Sequence, residues 1–155
     1  MASAALLHSK LDTLYDVWQS LTPASSPAEI TEFASFFSEN CTAYLLSMRE
    51  LSAPSIGRAG VIEGIKDVIK DSQIKERRVL DRFSSTSSPK ISVEMNNRLT
   101  VRGREIDAFP ETATVVFDDK GLITDFKLYC CRSAVVEIIQ DVTGVGPYRR
   151  DDKCH

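Results

Sequence analysis

The chain has 155 residues, 43% of them hydrophobic and 26% charged, which fits one ordinary globular domain with a single sizeable core and argues against a second. Its formal net charge of -3 argues against a strong electrostatic grip on nucleic acid, which usually shows as a basic patch. No stretch reaches the ~18 consecutive apolar residues that a membrane-crossing helix needs, so a soluble, cytoplasmic chain is expected, with no membrane partner.

From residue 4 to 21, Leu7, Leu11, Leu14, Tyr15, Trp18 and Leu21 fall at three- and four-residue steps and predict an amphipathic helix. Its opening run Ala4-Ala5-Leu6-Leu7 is too short for a secretory apolar region, and His8, Lys10 and Asp12 follow at once. Residues 22–27 read as a linker. Ser26-Pro27-Ala28-Glu29 then opens a second helix, with a capping serine, a proline in the first turn and a glutamate at the capping-box place. Ile30, Phe33, Phe36 and Phe37 mark its buried stripe.

Residues 41–48 form a short apolar run that fits a first strand, and a loop through Pro54, Ser55 and Gly57 follows. A third helix is expected over 58–71, with Val61, Ile62, Ile65, Val68 and Ile69 on one face. Residues 74–83 read as one strand, whose run Lys75-Glu76-Arg77-Arg78 is taken as a solvated edge. The serine tract 84–89 reads as a flexible connection and a first guess for a lid. Strands follow over 91–101 and 106–117, joined by a turn at Arg102-Gly103-Arg104. The turn Asp118-Asp119-Lys120-Gly121 leads into a last strand over 122–131 and a helix from Ser133. The order is α+β with a mostly antiparallel sheet.

Four cysteines without CxxC spacing point to a reducing compartment. Cys41 reads as a small core residue, while neighbouring Cys130 and Cys131 point to opposite faces. On the last strand, Tyr129 and Cys131 are two apart and leave the sheet on one face.

The run Ile56-Gly57-Arg58-Ala59-Gly60-Val61-Ile62-Glu63-Gly64-Ile65, and Val116-Phe117-Asp118-Asp119-Lys120-Gly121-Leu122-Ile123 with Tyr129, resemble the nuclear transport factor 2-like superfamily, in its SnoaL-like, ketosteroid-isomerase-related branch. The resemblance covers most of residues 4–140. It implies a cone: a curved sheet wrapped around the N-terminal helices, enclosing a cavity, with homodimers formed through the outer sheet face. Residues 1–147 would be one such domain and 148–155, including Cys154 and His155, a charged disordered tail.

The resemblance also implies a carboxylate two residues after the tyrosine on the last strand. Cys131 stands there instead, either an inert buried thiol, the favoured reading, or a nucleophile activated by Arg132 or Lys127. Glu111 shares strand parity with Ala113, Val115 and Phe117 and would enter an apolar cavity as a proton shuttle; the favoured alternative is that Pro110 breaks the strand and turns it to solvent. Asp81 has similar standing and could pair with an arginine. Tyr15, Trp18, Tyr44 and Met48 are the candidates for substrate contact, with core packing the favoured role of Trp18. No phosphate-binding loop or metal-ligand spacing is present, so a cofactor-free isomerase, cyclase or dehydratase acting on a small hydrophobic polyketide or terpenoid metabolite is expected. A non-catalytic binding or dimerisation module is the rival.

Overall fold

The computed structural model describes residues 2–48 and 53–149; expectations for 49–52 and for 150–155, including Cys154 and His155, lie outside the described residues. Helix α1 (Ala4–Ser20) starts where the Ser3 hydroxyl accepts the Leu6 N–H at 3.2 Å, and it buries Leu7, Leu11, Leu14, Tyr15 and Trp18. Helix α2 (Pro27–Ala34) has the expected capping box, with Ser26 Oγ accepting from Glu29 N and Glu29 Oε2 accepting from Ser26 N. It ends at Ala34, earlier than its apolar stripe suggests. Phe37 belongs to strand β1 (Phe37–Tyr44), which therefore begins four residues before the expected strand. The helix closes at Ser35, whose N–H donates to Thr31 O at 2.9 Å and Glu32 O at 3.1 Å, and Phe37 joins the buried row of Cys41 and Ala43.

Strand β2 (Ser55–Ile56) pairs with β1 and passes straight into α3 (Gly57–Asp71). Gly57 has φ 70, and a Cβ there would stand 2.9 Å from the Glu39 carbonyl, so this sharp change from strand to helix requires glycine. Gly64 lets α3 approach the Ser55 side chain.

The strand expected over 74–83 is two strands, β3 (Ser72–Glu76) and β4 (Val79–Ser84). Both lie antiparallel along the same side of the long strand β5 (Lys90–Val101), and Arg77-Arg78 forms the bend between them. The serine tract is the tight turn from β4 to β5, closed by Ser85 N donating to Lys90 O at 2.9 Å and by contacts among its hydroxyls. Strand β6 (Arg104–Phe117) returns through the Arg102-Gly103 turn, where both residues have positive φ as a two-residue hairpin loop demands. Strand β7 (Ile123–Cys130) follows the turn in which Asp118 Oδ1 accepts from Lys120 N and Leu122 N. Helix α4 (Ser133–Thr143) ends at Gly144 in the left-handed region.

The sheet runs β2-β1-β7-β6-β5-β3, with β4 beside β5, and every pair is antiparallel except β1 with β7. It is strongly curled into a half-barrel, and with four helices among the described residues the molecule is α+β. The inner side chains of the sheet and the buried faces of α1, α2 and α3 share one core. At its centre Trp18 stacks on Tyr15 (5.3 Å between centroids) and meets Phe33 edge-on (5.5 Å) and Phe126 at a tilt (6.2 Å). Trp18 is a core residue. No helix among the described residues is long and apolar enough to cross a membrane.

Candidate functional site

Along β5 the inward positions are Ile91, Val93, Met95, Asn97, Leu99 and Val101, all buried; Asn97 is the polar member of that row. Its side chain is fully enclosed. Asn97 Nδ2 donates to Glu111 Oε2 at 2.7 Å, and Asn97 Oδ1 accepts the Arg78 backbone N–H at 3.0 Å. Glu111 is on the neighbouring strand β6, directly opposite Met95.

Pro110 does not break that strand. It sits in register with Asn96, whose N–H bonds instead to Arg78 O at 2.9 Å, so the missing proline donor falls where no β5 carbonyl needs it. Parity therefore runs unbroken through Phe109, Glu111, Ala113, Val115 and Phe117, and the favoured expectation of a solvent-facing Glu111 is corrected. Burial pushes the Glu111 carboxyl up to about 7, opposed by the Asn97 bond and by the positive charge of Arg132.

Two further groups feel this carboxyl. Tyr15, from α1, is 1% exposed, and its hydroxyl has no hydrogen-bond partner among the described residues. Burial first, and then the charge of Glu111, raise its phenol above the ordinary range. Cys130, at the end of β7, donates to Leu46 O at 3.5 Å, and burial followed by the Glu111 charge pushes its thiol up to about 12. Ser47, 2% exposed just past the end of β1, has a hydroxyl without a partner among the described residues, but it borders a separate cleft beside Tyr44 and Ile56. An acid that is part ionised at neutral pH, an unsatisfied phenol and a neutral thiol thus share one end of the interior. Such a set can donate to, or accept from, an oxygen of a largely apolar guest.

The expected pair on the last strand is corrected. Tyr129 is 47% exposed on the outer face, and Cys131 is exposed beyond the strand end, its thiol against Ser133 Oγ at 3.4 Å. The cause is a bulge. Val116 pairs with Asp125 but Phe117 with Ile123, so Thr124 is an extra residue and the inward parity passes from Ile123 to Phe126, Leu128 and Cys130. Cys130, not Cys131, faces the interior. Asp81 is also corrected: it is exposed on β4 and caps the neighbouring Arg82 N–H. Tyr44 lies on the outer parity of β1, beside a cleft of about 380 Å³ shared with Ile56, and Met48 donates its N–H to Leu128 O. Neither is shown in contact with Glu111. Sequence reasoning missed Asn97 and Cys130, although a polar residue on the apolar parity of β5 was a readable signal.

Behind Tyr15 the positive charge is held in place. Arg77 lies over the Tyr15 ring at 4.3 Å, with Nη1 donating to Asp12 Oδ1 at 2.7 Å and Nε to Met95 Sδ at 3.3 Å. Arg82 shares Asp12 Oδ1 at 3.0 Å, and His8 Nε2 meets Ser84 Oγ at 3.0 Å, so α1 is fastened to β4 along one face. Against the upward push of burial, the Arg77 and Arg82 bonds hold the Asp12 carboxyl below the usual carboxylate range. A cleft of about 410 Å³ opens beside Cys130, between Arg132, Val136, Pro147 and Tyr148. Tyr148 is held to α4 by both amide atoms of Gln140.

The curled half-barrel closed over helices matches in shape the cone-like fold of nuclear transport factor 2-like structures, with Glu111, Asn97 and Tyr15 on its inner side. Solved structures share this fold across nearly the whole chain. An isomerase candidate from Bacillus subtilis is 14% identical with a TM-score of 0.68, covering 96% of this chain and 100% of its own. A candidate SnoaL-like polyketide cyclase from Shewanella denitrificans OS-217 is 12% identical at 0.65, covering 88% and 98%. An LEH-like epoxide hydrolase of M. tuberculosis is 10% identical at 0.60, covering 90% and 96%. No family model and no curated protein matches the sequence. The likeness is one of fold, of the ketosteroid-isomerase-like and SnoaL-like kind.

Proposed function

We propose that the interior group around Glu111 takes up a small, mostly apolar metabolite and moves a proton on it without a cofactor, as an isomerase, cyclase or dehydratase of the polyketide or terpenoid type. What supports this reading is the Glu111 carboxyl on the inner row of β6, bonded to Asn97 Nδ2 at 2.7 Å, opposite Cys130 and raised by burial to about 7, with its charge felt by the unpartnered Tyr15 hydroxyl. At neutral pH the ionised fraction of Glu111 accepts a proton from an acidic C–H or O–H, while Tyr15 donates a hydrogen bond to the oxygen on which charge develops. The cleft beside Cys130 is the proposed access route: Cys130 lines it and stands opposite Glu111 in the register of β6 and β7. The names of the fold neighbours, cyclase, isomerase and epoxide hydrolase, agree with small-molecule chemistry in such a cone.

The test is deuterium uptake at the α-carbons of a panel of cyclic ketones and enones, followed by NMR for the native chain and Glu111→Gln. Native protein should accelerate uptake for at least one ring size by about 10² or more over the variant. Equal rates for both across the panel overturn the reading. The close packing of Tyr15, Met95 and Leu128 around the site favours a second reading, a binding or dimerisation module of the same fold, which predicts equal rates.

The outer sheet face is proposed to join two copies. Register places Phe83, Ser92, Thr114, Lys127 and Tyr44 in one row across five strands, with Tyr129 in the next. Tyr129→Glu should shift a dimer to monomer in light scattering; a native chain that is already monomeric overturns this proposal.

A further inference from the structure

We infer that Asn97 is a positioning residue for Glu111, holding Oε2 as a permanent acceptor so that the proton Glu111 exchanges is carried on Oε1. This rests on the reading of Glu111 as the proton carrier. A backbone N–H can only donate, so the Asn97 atom that faces the Arg78 N–H at 3.0 Å is the carbonyl oxygen Oδ1, and the amide has one orientation. The other end must then be Nδ2, a donor, and it meets Glu111 Oε2 at 2.7 Å. With Oε2 engaged by a donor in both charge states, a proton gained by Glu111 goes to Oε1.

The anchor is itself rigid. The Arg78 peptide is bonded on both sides by β5, its N–H to Asn97 Oδ1 and its O to the Asn96 N–H. Asn97 has 0% exposure and packs its amide against Met95 Sδ at 3.8 Å, so no water competes for its bonds. The residue before this anchor, Arg77, lies over the Tyr15 ring. One two-residue bend between β3 and β4 thus orients both the acid, through Asn97, and the phenol, through Arg77.

A purely structural role remains the bland alternative: Asn97 would merely satisfy a backbone N–H where the edge strand bends. The two differ in what Glu111 does. The groups that face Glu111 are Tyr15 from α1, Asn97 from β5, Cys130 from β7 and Arg132 at the start of α4. Burial and the Arg132 charge act on it whatever residue stands at 97, so a change of its midpoint on losing the amide reports the bond itself.

The experiment follows the Glu111 carboxyl carbon and the Asn97 side-chain amide by NMR from pH 4 to 9 in the native protein, and the carboxyl alone in Asn97→Leu. The positioning role predicts that the Asn97 amide protons shift with the same midpoint as Glu111, and that the leucine variant raises that midpoint by about one pH unit or more. An Asn97 amide that stays flat through the Glu111 midpoint overturns the inference, and this readout needs no variant to fold. An unmoved midpoint in a folded leucine variant overturns it too. A native Glu111 midpoint in the ordinary carboxylate range would instead remove the proposed function, so the two failures are distinct.

Discussion

Replacing Glu111 by glutamine should remove most of the pH dependence of stability between pH 4.5 and 8. The folded carboxyl is raised from 4.5 to about 7 by burial. Between those values the folded chain holds a proton that the unfolded chain releases, so stability is fully present below pH 4.5 and falls as pH rises through about 7. At about 1.4 kcal/mol per unit, the native protein loses about 3 kcal/mol across this window. For a chain of this size that corresponds to a midpoint roughly 10 °C lower at pH 8 than at pH 4.5 from this group alone. Glutamine keeps an acceptor for Asn97 Nδ2 and never ionises, so Glu111→Gln should flatten the curve and melt above the native protein at pH 8. Differential scanning calorimetry of both proteins at half-unit steps measures the difference. Parallel curves from pH 4.5 to 8 would refute the buried, raised carboxyl and with it the site.

Tyr15→Phe removes a buried hydroxyl with no partner, so urea unfolding should show unchanged stability or a gain of roughly 1 kcal/mol, while deuterium uptake on the active ketone falls. A clear loss of stability would mean that the hydroxyl has a partner in solution. Among Cys41, Cys130 and Cys131, brief iodoacetamide treatment followed by peptide mass mapping should modify Cys131 and spare the other two: Cys131 is exposed, Cys41 is buried, and the thiol of Cys130 is pushed up to about 12. Faster labelling of Cys130 than of Cys131 would contradict the parity change at Thr124. Asp12→Asn leaves Arg77, whose side chain is 11% exposed, without its counter-charge; a loss of about 2 kcal/mol is expected, and a neutral result would show that the guanidinium finds water.

Local pattern determined the helices, the hairpin turns and the α+β class, while the cone was implied by the resemblance of the glycine-led third helix and the last hairpin to a known superfamily. The three- and four-residue spacing of α1, the Ser26 capping box and the Gly121 turn act over neighbouring residues, and a sequence displays neighbours directly. The alternation around Glu111 was equally visible, although Pro110 obscured its meaning until register with Asn96 showed that no bond was lost. Tertiary structure decided the rest. The single extra residue at Thr124 exchanged Tyr129 and Cys131 for Cys130, because a period of two carries any insertion to the end of the strand. Arg77-Arg78 looked like a solvated strand edge; only the two strands that share β5 turn it into a bend whose N–H fixes Asn97 and whose guanidinium covers Tyr15. Those contacts join residues 62 to 65 positions apart or lie across a sheet, and no local rule in the chain specifies them.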